Sequence, residues 1–123
     1  MSNVLVIEDN KTLSHAYKLI LQKEGFTVRV AYNGREGLEL AKLSEPNLVL
    51  LDILMPVMDG VEFLKKFKPA DHPETKVIIL SNLNEDGEVK EAMKLGAHQF
   101  ILKASTSPQQ LIEHVKRAVS KTV

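Results

Sequence analysis

The chain is expected to form an α/β protein built on a doubly wound parallel sheet. Five short apolar, β-branched-rich runs alternate with amphipathic stretches, and helix start and stop signals fall between them. Strict alternation of this kind implies βαβ units, parallel strands and right-handed crossovers. The first, third and fourth runs are apolar throughout, as strands covered by helices on both faces must be.

Taken in order, Val4 to Ile7 is the first central strand, followed by a helical stripe of Leu13, Ala16, Tyr17, Ile20 and Leu21 that Gly25 ends. Thr27 to Ala31 is the second strand, and because Ala31 and Tyr32 close it with no reactive group, it suits the outside of the sheet. Asn33 with Glu36 forms a capping pair ahead of Leu38, Leu40 and Ala41. Leu48 to Leu51 is the third strand, and Phe63 and Phe67 mark the core side of the next helix, leaving Lys65, Lys66 and Lys68 on a solvated face. Pro69 and Pro73 make Lys68 to Thr75 a loop before the fourth strand, Val77 to Leu80. Glu85, Asp86, Glu88 and Glu91 gather at the start of the fourth helix, where acids suit the dipole and favour solubility, with a docking face as the alternative, and Gly96 ends it. Gln99 to Leu102 is the fifth strand. Ser107 and Pro108 then open a last helix striped with Leu111, Ile112, Val115, Ala118 and Val119.

Size and charge restrict what such a fold does here. At 123 residues the chain holds one domain and one core. Lys plus Arg (16) balances Asp plus Glu (16), so no global field draws the chain to nucleic acid or an anionic membrane. With no cysteine, disulfides, thiolate catalysis and thiolate metal sites are excluded. The start, MSNVLVIEDN, has neither the basic residues nor the long apolar stretch of a signal peptide, and no run approaches the roughly 20 apolar residues of a membrane span. A cytoplasmic location is expected.

Chemistry in open parallel sheets collects beyond the carboxyl ends of the strands. Glu8 and Asp9 follow the first run, Asp52 the third, Ser81 the fourth and Lys103 the fifth. Taken singly, each has an ordinary role as a turn, cap or surface residue. Together they place three carboxylates, a hydroxyl and an ammonium on one edge. Carboxylates so close repel unless a cation sits among them, and hard oxygen donors with room for water suit Mg²⁺. With Lys103 and the metal on two oxygens of an incoming phosphoryl group and Ser81 on a third, Asp52 is left as the nucleophile.

The segments VLVIEDN, LVLLDILMPVMDG, VIILSN and FILK, in that order, resemble the receiver domain of bacterial two-component response regulators, a flavodoxin-like fold of the chemotaxis-regulator type. The resemblance spans residues 1–123 as a single domain, and no output domain is expected in this chain. It implies a five-stranded sheet in the order 2-1-3-4-5. It also implies Asp52 as phosphoacceptor and Mg²⁺ on Asp9, Asp52 and the Leu54 backbone carbonyl, with Glu8 reaching the metal through water. Ser81 and Lys103 would contact the phosphoryl group, and Ser81 and Phe100 would carry the switch. Phe100 reads equally as a core aromatic of the fifth strand. A sensor histidine kinase or histidine phosphotransfer protein would be the donor. The fourth helix, fifth strand and fifth helix would engage a target protein or a second copy. The chain would be a switch acting only on itself, not an enzyme for external substrates.

Some positions depart from the family pattern. Ala104 stands where a proline in a cis peptide bond usually follows the lysine, and retained cis geometry is expected at Lys103–Ala104. Asn82 replaces a very small residue and narrows the entrance. Leu54 and Leu83 are apolar where many relatives carry polar groups that orient water. Leu54, Asn82, Leu83 and Ala104 are therefore expected to tune rates, giving a long-lived phosphorylated state.

Competing readings are weaker. A dehalogenase-like phosphatase needs a second acid where Leu54 stands, and a nucleotide or flavin carrier needs a phosphate-cradling loop where Glu8, Asp9, Asn10 and Lys11 stand. A pseudo-receiver that is never phosphorylated is the remaining alternative, opposed by intact Glu8, Asp9, Asp52, Ser81 and Lys103. Met55 and Met58 are expected to pack the loop around Pro56, and His15, His72, His98 and His114 show no ligand spacing.

Overall fold

The computed structural model describes residues 2–120. The elements run β1 (Asn3–Ile7), α1 (Lys11–Lys23), β2 (Thr27–Ala31), α2 (Gly34–Ser44), β3 (Leu48–Asp52), α3 (Gly60–Phe67), β4 (Lys76–Ser81), α4 (Asp86–Lys94), β5 (Gln99–Leu102) and α5 (Pro108–Val119). All strands pair in parallel in the order β2-β1-β3-β4-β5, with β2 on the outside as its closing residues suggested.

Period-two alternation divides the core into two layers. Leu5, Ile7, Val49, Leu51, Val77 and Ile79 pack with Ala41 of α2, Phe63, Leu64 and Phe67 of α3, and Ala92 of α4. Val4, Val6, Leu48, Leu50, Ile78, Leu80 and Ile101 pack on the other face with Leu21 of α1 and Leu111, Val115 and Ala118 of α5. Covering both faces is what the unbroken apolar runs required. Each fully buried Leu or Ile contributes about 1.5–3 kcal/mol.

The expected helix signals operate. Asn33 Oδ1 accepts from Glu36 N at 3.0 Å, while the Glu36 carboxylate accepts from Tyr32 N at 2.8 Å. Ser107 and Gln110 form a reciprocal capping box at the start of α5. The backbone turns left-handed at Gly25 (φ 96°) and Gly96 (φ 110°), just past α1 and α4. The loop after α3 is less open than its prolines suggested. It contains a single 3-10 turn at Pro69–Asp71, and His72 stacks on Phe67 with ring centroids 4.2 Å apart. No helix among the described residues is long and apolar enough to cross a membrane.

Candidate functional site

The alternation that builds the core also aims the reactive side chains. Glu8 continues the Val4, Val6 series, Asp52 the Leu48, Leu50 series and Lys103 the Ile101 position, so all three emerge on the α1/α5 side of the sheet. Asp52 is the last residue of β3, paired in register with Leu80. Beyond β1 the ladder continues for one more bond, from Glu8 N to Ala31 O at 3.0 Å.

Lys103 joins the two buried acids. Its Nζ lies 2.9 Å from Glu8 Oε1 and 3.2 Å from Asp52 Oδ1, with the Glu8 and Asp52 side chains only 1% and 5% exposed. Glu8 Oε2 accepts from Asn10 N at 3.2 Å, whereas Oε1 has the lysine charge beside it and no well-directed hydrogen bond. Asp9 is exposed at the rim, and one oxygen from each of Glu8, Asp9 and Asp52 falls within 4.8 Å of the others. Burial, reinforced by the Glu8 charge, pushes the Asp52 carboxyl up to about 8 despite the opposing pull of Lys103. Burial alone would lower the Lys103 ammonium, but its bond to Glu8 and the charge of Asp52 reverse this and raise it.

One ammonium against three carboxylates leaves uncompensated negative charge. An under-bonded Glu8 oxygen and hard oxygen donors fit a divalent cation such as Mg²⁺. Among the described residues this is the one His/Cys/Asp/Glu group with metal-binding spacing. The histidines take other roles, such as the His114 Nδ1 contact with Gln99 Nε2 at 3.1 Å.

The loop after β3 folds tightly onto the strand end. Gly60 N donates to Ile53 O at 2.9 Å, and a Cβ at Gly60 would lie 2.8 Å from Asp52 O, so only glycine closes the loop this way. Asp59 and Glu62 cap α3 reciprocally, and Met58 O accepts from Gly34 N at 3.0 Å, which ties the loop to α2. Met55 packs against the core as expected. Val57 takes φ 70°, a left-handed conformation that is costly for a β-branched residue.

Ser81 is fully buried at the end of β4, and by alternation with Val77 and Ile79 it belongs to the opposite face from Asp52. Its Oγ donates a long 3.4 Å bond to Ile101 O. Phe100 is 47% exposed, which removes the core-aromatic reading. Leu54 and Leu83 are also exposed, at 46% and 69%, forming apolar surface in the loops after β3 and β4. Ala104 is exposed as well.

Two expectations are corrected. Every peptide bond among the described residues is trans, Lys103–Ala104 included. Alanine leaves a secondary amide, for which cis costs roughly 2.5–4 kcal/mol, and the chain instead turns through a 3-10 segment at Lys103–Ser105. Thr106 Oγ1 secures that turn by donating to Leu102 O at 2.7 Å. Glu85, grouped with the solvated acids of α4, is buried, and its carboxylate accepts from Asn82 N at 2.8 Å. The signal was present as Asn-x-x-Glu, the spacing at which a glutamate returns to a backbone N–H three residues earlier. Tyr17 is a further residue that the sequence placed only in the core. It shares an apolar cleft of about 270 Å³ between α1 and α5 with Lys103, and burial raises its phenol.

With this geometry established, known proteins agree on the family. The response regulator receiver domain family matches residues 4–116. The chain belongs to that family. Its receiver fold therefore works within two-component signalling. Transcriptional regulatory protein SrrA of Staphylococcus aureus is 32% identical over 99% of this chain, which covers 50% of that protein. The chain thus spans about half the length of the curated relatives it matches. A CheY-like receiver domain protein from Methanospirillum hungatei superposes with a TM-score of 0.89 at 28% identity, over 97% of this chain and 94% of that one. The receiver domain of NtrX from Brucella abortus gives 0.86 at 29% identity, over 97% and 99%.

Proposed function

We propose that this receiver domain takes a phosphoryl group on Asp52 from a sensor histidine kinase or histidine phosphotransfer protein, with Mg²⁺ as cofactor. The observation that carries the reading is Lys103 Nζ bridging Glu8 and Asp52 at the carboxyl edge of the sheet. A carboxylate oxygen of Asp52 forms the new bond to phosphorus as the bond to the donor's imidazole nitrogen breaks, and that nitrogen keeps the electron pair. Lys103 is placed to meet a phosphoryl oxygen, and Ser81, held only by a long bond at the strand end, would turn from its own face of the sheet toward Asp52 to donate to another. Mg²⁺, held by Asp9, Asp52 and the Leu54 carbonyl with Glu8 behind them, would neutralise charge on the carboxylates and the phosphoryl oxygens. The chain acts on itself rather than on external substrates. The face of α4, β5 and α5, which carries exposed Phe100 and Met93, would meet a target protein or a second copy.

Incubation with Mg²⁺ and acetyl phosphate should add one phosphoryl group to the wild type and none to Asp52→Asn, read by intact mass. An unmodified wild type would favour the pseudo-receiver. Because Leu54 and Leu83 put apolar surface rather than water-orienting groups around the site, the phosphorylated state should persist for many minutes. A phosphate-release time course complete within seconds to a minute would sink that expectation.

A further inference from the structure

The apolar stripe of α1 is only half used. Its periodicity sends Leu13, Ala16, Tyr17 and Ile20 to the core, yet Leu13, Tyr17 and Ile20 are half-buried and Ala16 is exposed. The stripes of α3 and α5, by contrast, are buried at Phe63, Leu64, Phe67, Val115 and Ala118. The difference is a cleft of about 270 Å³ between α1 and α5, which the four α1 residues line together with Leu111 and Lys103. Most of its wall is apolar, and two donors at it lack partners. Lys103 Nζ carries three N–H bonds and faces two acceptors, Glu8 Oε1 and Asp52 Oδ1, so one donor remains. The Tyr17 hydroxyl makes no hydrogen bond to another described residue, and the charges its phenol feels are those of Lys103, Glu8 and Asp52, which puts it near the ammonium.

Size and charge select what fits. A dry apolar cavity of about 150 Å³ holds benzene, so one of about 270 Å³ suits a fused bicyclic ring. An anionic group is disfavoured, because Glu8 and Asp52 already meet the ammonium and Asp9 stands at the rim, leaving no net positive charge. A cation finds no carboxylate in the lining. A neutral carbonyl oxygen, with two lone pairs, matches both donors. We propose that the α1/α5 cleft is a binding site for a neutral, fused-ring small molecule bearing one carbonyl, whose oxygen accepts from Lys103 Nζ and the Tyr17 hydroxyl while its rings pack against Leu13, Ile20 and Leu111. Such a ligand touches the ammonium that bridges Glu8 and Asp52, and so brings a small-molecule input to that edge of the sheet. The site is independent of the phosphoacceptor reading of Asp52.

Three probes test it. Tetralone, a bicyclic ketone, is titrated into the folded protein at neutral pH without Mg²⁺, and its affinity is read from backbone amide NMR shifts. Tetralin has the rings without the carbonyl, and naphthoate carries a carboxylate in its place. Tetralone should bind saturably, with shifts centred on α1, Lys103 and the start of α5, about fivefold tighter than tetralin and about tenfold tighter than naphthoate. Tyr17→Phe keeps the ring but removes the donor, and should weaken tetralone about threefold while leaving tetralin within about twofold. Ala16→Met, at an exposed position, fills the cleft and should abolish tetralone binding without lowering the melting temperature. No saturable binding of tetralone, or binding undisturbed by Ala16→Met, would overturn the site. Naphthoate binding as tightly as tetralone would overturn the ligand class, and an unchanged tetralone affinity in Tyr17→Phe would overturn the role of its hydroxyl.

Discussion

The two halves of the sheet's carboxyl edge are held very differently. On the β1/β3 side, Glu8 and Asp52 are buried and joined through Lys103 at 2.9 and 3.2 Å. On the β4/β5 side the Asn82 amide is held by Glu85 at 2.8 Å, but Ser81 Oγ rests on a 3.4 Å bond, the Asn82 side chain on one of 3.5 Å, and Leu83 and Phe100 stand largely in solvent. The first half is preorganised to receive charge, and the second is lightly held and able to respond. The switch proposed above needs both, because a rigid receiver with a rigid neighbour transmits nothing, and elements that move are drawn from the weakly held parts of a fold.

Breaking the tight half should have the largest effect. Lys103→Met removes the cation that bridges buried Glu8 and Asp52 and leaves the Glu8 charge unpaired, which should destabilise the metal-free protein by about 3 kcal/mol at neutral pH, measured by urea unfolding. Mg²⁺ should restore part of the loss. A pH series sharpens the same point. The Asp52 carboxyl is raised from 3.8 to about 8 in the fold, so between those values the native state holds a proton that the unfolded chain has lost. Its contribution is therefore fully present below 3.8 and is lost as pH rises through 8. Without divalent ions, wild-type stability should fall relative to Asp52→Asn across this window, by several kcal/mol, and parallel curves would refute the assignment. The loose half should yield the smallest effect. Phe100→Ala should cost about 1 kcal/mol or less, against about 3–5 kcal/mol for Phe63→Ala in the core, with thermal unfolding separating the two.

Much of the tight half was legible in the sequence. Val4, Val6, Glu8 and Leu48, Leu50, Asp52 follow one alternation, so residues that are apolar inside the sheet become acids at its edge without changing face. The loose half was less legible because loops, not strands, decide it. Glu85 sat among Asp86, Glu88 and Glu91 as one more acid of a solvated helix start, and only the turn at Asn84 sends its side chain inward. Phe100 alternates with Ile101 on a strand with sheet neighbours on one side only, so its exposure depends on what covers the sheet's edge.

The sequence by itself determined the element order, the parallel sheet and the edge on which Glu8, Asp9, Asp52, Ser81 and Lys103 gather, because hydrophobic periodicity and strand polarity are local properties. Tertiary structure alone decided that Lys103 bridges Glu8 and Asp52, that Lys103–Ala104 is trans and that Glu85 clamps Asn82. Each of these depends on angstrom-scale distances between segments, which depend on how loops close and side chains pack rather than on the pattern of any one segment.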